Sequence, residues 1–290
     1  MRARWFTLLV PALMGCPKPV ALRPYPAPLP TELLSQARQG QQRVQSIKRY
    51  GKADVPDDKG GRVKLDIAVA VQRPAKLRLS AESMLAGPLL TLATDGQSYQ
   101  LLDPQNNRYL SSVVTPCAMA RLLRVALPPT VLADVLTGGS PILAGSDLTL
   151  DTAWDSQDGG REVLKLADGQ GRRQVLYLQA VPGPQALPGA APPKAFDLVQ
   201  TELVGSDGQP FLRIRHQRFA NQEADPTLRL PKQSQIEDLV GKSEVKLRWK
   251  ESEANPALPA ELFSLPQPAG IPSDPDPCVG PQSPTPTLSP

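Results

Sequence analysis

The sequence contains a single histidine, His216, and three cysteines, Cys16, Cys117 and Cys278. That scarcity excludes most nucleophilic and metal chemistry. A Ser-His-Asp or Cys-His arrangement needs a histidine beside its nucleophile. His216 lies in FLRIRHQRF, on the strand face that carries Leu212 and Ile214, and reads as a packed or rim side chain. No GxSxG stretch is present, and Gly169-Gln170-Gly171 lacks the third glycine of a dinucleotide loop. Metal sites need clustered His, Cys or carboxylate ligands. The acidic groupings Asp54-Val55-Pro56-Asp57-Asp58 and Asp155-Ser156-Gln157-Asp158-Gly159 lack the DxDxDG spacing and read as turns. Neither catalytic residues nor a metal or cofactor are expected, and the chain does not read as an enzyme. Aromatic residues are also sparse, at 4%, although 40% apolar content suffices for a core. Lys/Arg runs never exceed two residues and the formal net charge is +4, too even a balance for a nucleic-acid partner.

What is present begins at the N-terminus. MRARWFTLLVPALMGC opens with two arginines, continues through an apolar run from Trp5 to Met14, and places small Gly15 before Cys16. This is the layout of a secretory signal peptide. The run is far below the ~20 residues that span a bilayer. The ending Leu13-Met14-Gly15-Cys16 resembles the lipobox of bacterial lipoproteins, in which the preceding peptide is removed and the cysteine becomes the lipidated N-terminus. The alternative is an ordinary signal peptide with an incidental cysteine. Loss of Arg2 and Arg4 with the leader takes the net charge to +2. Export permits a disulfide between Cys117 and Cys278. The alternative there is a buried Cys117 and a free thiol in the tail.

The 34 prolines cluster at Pro17–Pro30, Pro182–Pro193 and Pro266–Pro290. The first cluster cannot hold a helix or a ladder and reads as a semi-rigid spacer. From Thr31, a good N-cap, Leu33, Leu34, Ala37, Val44 and Ile47 recur near helical spacing and predict a helix over 31–46. Period-two alternation then predicts strands at 62–72, 76–80, 88–94, 98–103, 108–113, 147–155, 162–167, 172–179, 195–203, 210–219 and 244–250. Asp95-Gly96, Asp158-Gly159, Asp168-Gly169 and Asp207-Gly208 supply turn signals between several of them. A helical interlude, Pro116–Thr137, is broken at Pro128-Pro129. A sheet this wide must curl, and its apolar face must be covered. Only the helix at 31–46 and the interlude can cover it. The expected fold is thus mainly β: an incomplete antiparallel β-barrel, or curved sheet, under a helical lid. Four segments follow: a signal peptide over 1–15, a lipidated spacer over 16–30, the half-barrel domain over 31–271, and a disordered tail over 272–290.

Four landmarks in order resemble the LolA/LolB superfamily, the periplasmic carriers and outer-membrane receptors of bacterial lipoproteins. They are Arg73-Pro74 ending a strand in VAVQRPAKLRL, Asp95-Gly96 in LLTLATDGQSYQLLDP, the helical interlude, and the Phe263–Gly270 end of LFSLPQPAGI. The resemblance covers 31–271 and implies a concave apolar face that holds acyl chains, closed by helices. The lipobox places the chain nearer the receptor. Pro17 and Lys18, rather than an acidic residue, follow Cys16, which by analogy sorts the protein to the outer membrane, lipid-anchored on the periplasmic face. The implied partners are the membrane and the acyl chains of lipids or lipoproteins, for a chain read as a monomer. Arg73 matches the carrier's lid-closing arginine; the alternative is an arginine that snorkels at a strand end. Met84 and Leu85, in the loop SMLAGP, match the receptor's exposed apolar tip that contacts the bilayer; the alternative is packing under the barrel rim. The proline-rich insertion Val181–Pro193, the long tail and the few aromatics depart from the family pattern. A sensor or assembly module that binds protein partners on the same fold is the competing functional class.

Overall fold

The computed structural model describes residues 20–57, 59–83, 87–115, 117–119, 125, 127–157, 159–181, 193, 195–276 and 278. Cys16, Met84 and Leu85 lie outside the described residues. The chain forms one thirteen-stranded antiparallel sheet, curved and not closed. Six strands come first: β1 (Ser46–Pro56), β2 (Arg62–Gln72), β3 (Lys76–Ser83), β4 (Gly87–Thr94), β5 (Ser98–Asp103) and β6 (Arg108–Val113). Seven follow: β7 (Thr149–Asp155), β8 (Arg161–Ala167), β9 (Arg173–Ala180), β10 (Phe196–Val204), β11 (Pro210–Asn221), β12 (Arg229–Asp238) and β13 (Ser243–Ala254). Each set is a meander, and β1 pairs with β13 to join them. The two ends of the sheet, β6 and β7, are therefore neighbours in sequence, separated by the helical interlude.

Directly opposed residues in antiparallel strands share a face, so the register shows a continuous inner surface. Leu164, Leu176, Thr201, Ile214, Ile236 and Val245 stand in one row across β8 to β13. Val69, Leu79, Leu92, Leu101 and Leu110 stand in another across β2 to β6. All eleven are buried. Among the described residues, two helices lie on this face. Helix α1 (Pro30–Gln42) packs Leu33, Leu34 and Ala37 against Leu164, Leu166, Leu176 and Leu178. Helix α2 (Pro129–Leu136) places Leu132, Ala133, Val135 and Leu136 in the larger cluster with β1–β6 and β11–β13, beside Met119, Val125 and Leu127.

Four expectations are corrected. Helix α1 starts at Pro30 and not after a Thr31 cap: proline needs no donor at the first position, and the Glu32 carboxylate accepts the Leu29 N–H at 3.2 Å. It also stops at Gln42, so Val44 and Ile47 belong to a turn and to β1. The two strands without a period-two signal are β1 and β12. Inward positions of β1 are Ile47, Arg49, Gly51, Ala53 and Val55, too small or too polar to show alternation. In β12, Pro231 falls where the strand pairs with β11 alone, so its missing N–H breaks no ladder there.

Both proline-rich ends also behave differently from free linkers. The Ala21 N–H donates to Ser156 O at 3.2 Å, Trp154 Nε1 donates to Ala21 O at 2.8 Å, and Tyr25 is buried edge-on against Trp154 and Phe196. After β13 the chain crosses the outer face of β3–β6. Phe263 is buried, Arg78 donates to Leu262 O at 3.2 Å, and the Tyr109 hydroxyl donates to Leu265 O at 2.7 Å. Past 271 the segment expected to be disordered still pairs with the edge of β6: the Asp274 N–H donates to Tyr109 O at 2.8 Å. Cys278, 2% exposed, is disulfide-bonded to Cys117 at the start of the interlude.

That bond closes a loop of 161 residues, which restricts the unfolded chain strongly. Replacing both partners, Cys117→Ser with Cys278→Ser, is expected to lower unfolding stability by roughly 2–5 kcal/mol. Denaturant titration of the two proteins checks this, and equal midpoints would show that the strap adds nothing to stability.

Candidate functional site: a latched cover on the inner face

Strand β2 ends in Arg73-Pro74, which turns the chain at the rim beside α2. The Arg73 guanidinium fans out over three partners: Nε donates to Val44 O at 3.0 Å, Nη2 to the Thr137 hydroxyl at 2.7 Å, and Nη1 pairs with the Asp134 carboxylate. One side chain thus fastens the C-terminal end of α2 to the sheet and to the α1–β1 junction. Burial lifts the Asp134 carboxyl above its ordinary range, and the neighbouring guanidinium opposes that shift. The end of α2 has little freedom elsewhere. Gly138 takes a left-handed φ of +89°, and a Cβ there would stand 2.8 Å from Pro231 Cδ. The following residues are stitched down: Gln41 of α1 donates to Ser140 O, Arg38 donates to Leu143 O at 3.0 Å, and Gln174 of β9 accepts the Leu143 N–H at 2.7 Å.

Beneath that end lies a polar floor inside an otherwise apolar surface. His216 is buried with Nε2 at 2.6 Å from Gly139 O and Nδ1 at 2.9 Å from the Ser234 hydroxyl. A carbonyl only accepts, so the proton sits on Nε2 and Nδ1 accepts from Ser234. Burial first, with Arg49 adding to it, pushes the imidazole down to about 4. The ring is neutral at physiological pH and holds the turn after α2 in place through Gly139 O. Next to it, Arg49 of β1 stacks over the Trp249 ring at 5.0 Å and donates from Nη2 to Pro231 O at 3.2 Å. Among the described residues no group of three or more His, Cys, Asp or Glu side chains could hold a metal ion.

Among the described residues, the inner-face rows pack in two buried apolar clusters with α1 and α2. Two grooves are lined mainly by outward-facing residues, with Arg49, Val69, Ser234 and Leu247 also at their walls. One of 560 Å³ is bounded by Lys48, Tyr50, Ala68, Ser80, Glu251 and Leu262. The other, 180 Å³, lies among Arg215, Gln217, Gln233, Gln235, Lys246 and Arg248.

Of the residues singled out in the sequence, Arg73, His216 and the Cys117–Cys278 pair have described surroundings. Met84 and Leu85 lie outside the described residues. Asp134, Thr137, Arg49 and Trp249 were not foreseen. A cation two residues after Ile47 is a signal only once β1 is known to be a strand.

No protein-family model and no curated protein matches the chain. Among solved structures it is similar to a LolA superfamily protein from Nitrosomonas europaea, at 12% identity and TM-score 0.48, over 80% of this chain and 97% of that one. It is similar to a candidate outer membrane lipoprotein-sorting protein domain from Vibrio parahaemolyticus, at 8% identity and TM-score 0.45, over 79% and 95% of the two chains. A DUF1329 family protein from Desulfovibrio piger is similar at 11% identity and TM-score 0.47, over 79% and 97%. These likenesses concern the course of the chain.

The depressed His216 has a measurable consequence. Its folded value near 4 lies below the ordinary 6.5, so the unfolded chain binds the extra proton between those values. Stability from this group is complete above about pH 6.5 and is lost as pH falls towards 4, by roughly 3 kcal/mol at most. The stability difference between wild type and His216→Gln should shrink by that order across the window. A difference independent of pH would show that the imidazole is not held neutral.

Proposed function

We propose that the protein binds acyl chains of lipids or lipoproteins against its inner face, for their receipt or transfer at the envelope, and catalyses no reaction. The observation that carries the reading is the cover. The apolar face is closed by a separate segment that the sheet does not need for its own ladder, and Arg73 fastens that segment at one end through Asp134 and Thr137. Opening at this contact would expose apolar rows for an acyl chain, at about 0.8 kcal/mol per buried CH₂. The packed inner face then corresponds to the closed state, and affinity depends on how much free energy holds the cover down.

In this reading Cys16 carries the lipid anchor and the domain faces the periplasm from the outer membrane. Only Pro17 to Val20 separate Cys16 from Ala21, which is docked on the β7–β8 turn, so the tether spans at most about 17 Å. Val20 and Leu22 are 71% and 84% exposed beside it and suit an apolar interface. Met84 and Leu85 are proposed as the apolar tip that contacts the bilayer. The groove of 560 Å³, which stays open, favours the second reading, a module that binds a protein partner.

A fluorescent long-chain acyl probe tests the proposal on soluble Cys16→Ala protein, whose copurified lipid is identified by mass spectrometry. Lipid in the purified protein, with probe exchange about tenfold or more faster in Arg73→Leu, is the expected result, since loss of a charged hydrogen bond costs about 1.5–3 kcal/mol. Neither lipid nor probe binding would favour the partner-binding reading. Unchanged exchange in Arg73→Leu would reduce Arg73 to a strand-end residue.

A further inference from the structure

We propose that the inner face has a built head-group site at Arg49 and Trp249 for an anionic amphiphile, an oxyanion on a long acyl chain whose tail lies along the apolar row beginning beside Arg49. This rests on the acyl-binding reading and adds a chemical class to it.

Arg49 is 3% exposed and points to the inner face. Only Nη2 has an acceptor, the Pro231 carbonyl; Nε and Nη1 have none among the described residues. Nor does Trp249 Nε1, in the ring over which the guanidinium stacks. Among the described residues no carboxylate forms an ion pair with Arg49. Burial lowers its pKa to about 9, which still leaves it charged at neutral pH. A buried cation without a counter-ion is among the costliest arrangements a fold keeps. Three buried nitrogen donors without an acceptor call for an oxyanion, which accepts short charge-assisted hydrogen bonds from such groups. His216 beside them is neutral and its ring nitrogens are already engaged, so it neither neutralises Arg49 nor competes for the anion.

The register supplies the tail's path. Arg49 stands opposite Val69, and from there Leu79, Leu92, Leu101 and Leu110 continue the same row to the edge strand β6. Five steps between strands cover about 24 Å, the scale of an extended long acyl chain. Access runs through the latch. Gly138, at the end of α2, abuts the Pro231 whose carbonyl Arg49 holds. Release of Asp134 and Thr137 from Arg73 would therefore uncover the donors and the row together.

Carboxylate and phosphate share the required chemistry, and three probes of similar tail separate them: palmitate, palmitoyl lysophosphatidate and hexadecanol. Soluble Cys16→Ala protein should bind at least one of the two anions about tenfold more tightly than hexadecanol. The tighter anion identifies the source. Arg49→Met should bring that ratio near one without weakening hexadecanol, and should melt no lower than its parent because an unpaired cation is gone. Arg49→Lys, which keeps the charge, should retain part of the preference and guards against a Met variant that folds badly. An equal anion-to-alcohol ratio in parent and Arg49→Met would overturn the head-group site and leave acyl binding standing. Binding of none of the three probes would overturn acyl binding and this site with it.

Discussion

An antiparallel sheet of thirteen strands presents an apolar face that its own strands cannot bury. Either the sheet closes on itself or another part of the chain must lie on it. Here β6 and β7 do not pair, and the segment that links them, with α1, covers the face instead. The closing of the larger core cluster is thus assigned to this linking stretch of chain. That stretch is fastened from three sides: by Arg73 at its end, by Gln41 and Arg38 of α1 over Ser140 and Leu143, and by the Cys117–Cys278 disulfide at its start. Two of these fastenings are polar and reversible. The third is covalent and holds the beginning of the interlude.

The polar floor under α2 follows from the same constraint. A purely apolar floor would bind the apolar side of α2 wherever it landed. His216 and Ser234, engaged with each other and with Gly139 O, place the turn after α2 in one position. Arg49 has no such partner for two of its nitrogens. Among the described residues of the inner face, Arg49 is a buried charge with no carboxylate opposing it, which is the basis of the proposed head-group site.

Much of the fold was legible in the sequence because inward and outward residues alternate along most strands. Val63 to Val71 and Leu77 to Leu79 are apolar at every second position, and several turns are marked by Asp-Gly or Pro. What escaped had a local physical reason. Arg49, Gly51 and Ala53 occupy inward positions of β1, so its alternation disappears. Ser234 and Pro231 do the same for β12. The docking of the N-terminal spacer depended on Trp154 and Phe196, residues more than a hundred positions away, and proline content alone suggested a free linker. Arg73 could be singled out from the Arg-Pro step, but its partners Asp134 and Thr137 could not, because nothing in a helix sequence reports which rim it meets. The fold was therefore open to inspection from short-range pattern, whereas the site is made of long-range pairings.

The central claim is that the cover over the inner face opens when an acyl chain is taken up. Spin labels at Thr130, exposed on α2, and at Lys48, exposed on the outer side of β1, report that movement directly by pulsed electron paramagnetic resonance. Addition of a saturating single-chain amphiphile should replace one narrow distance distribution with a longer or broader one, and Arg73→Leu should populate it without ligand. The same narrow distribution with and without bound amphiphile would contradict the account, because the apolar rows could not then be reached.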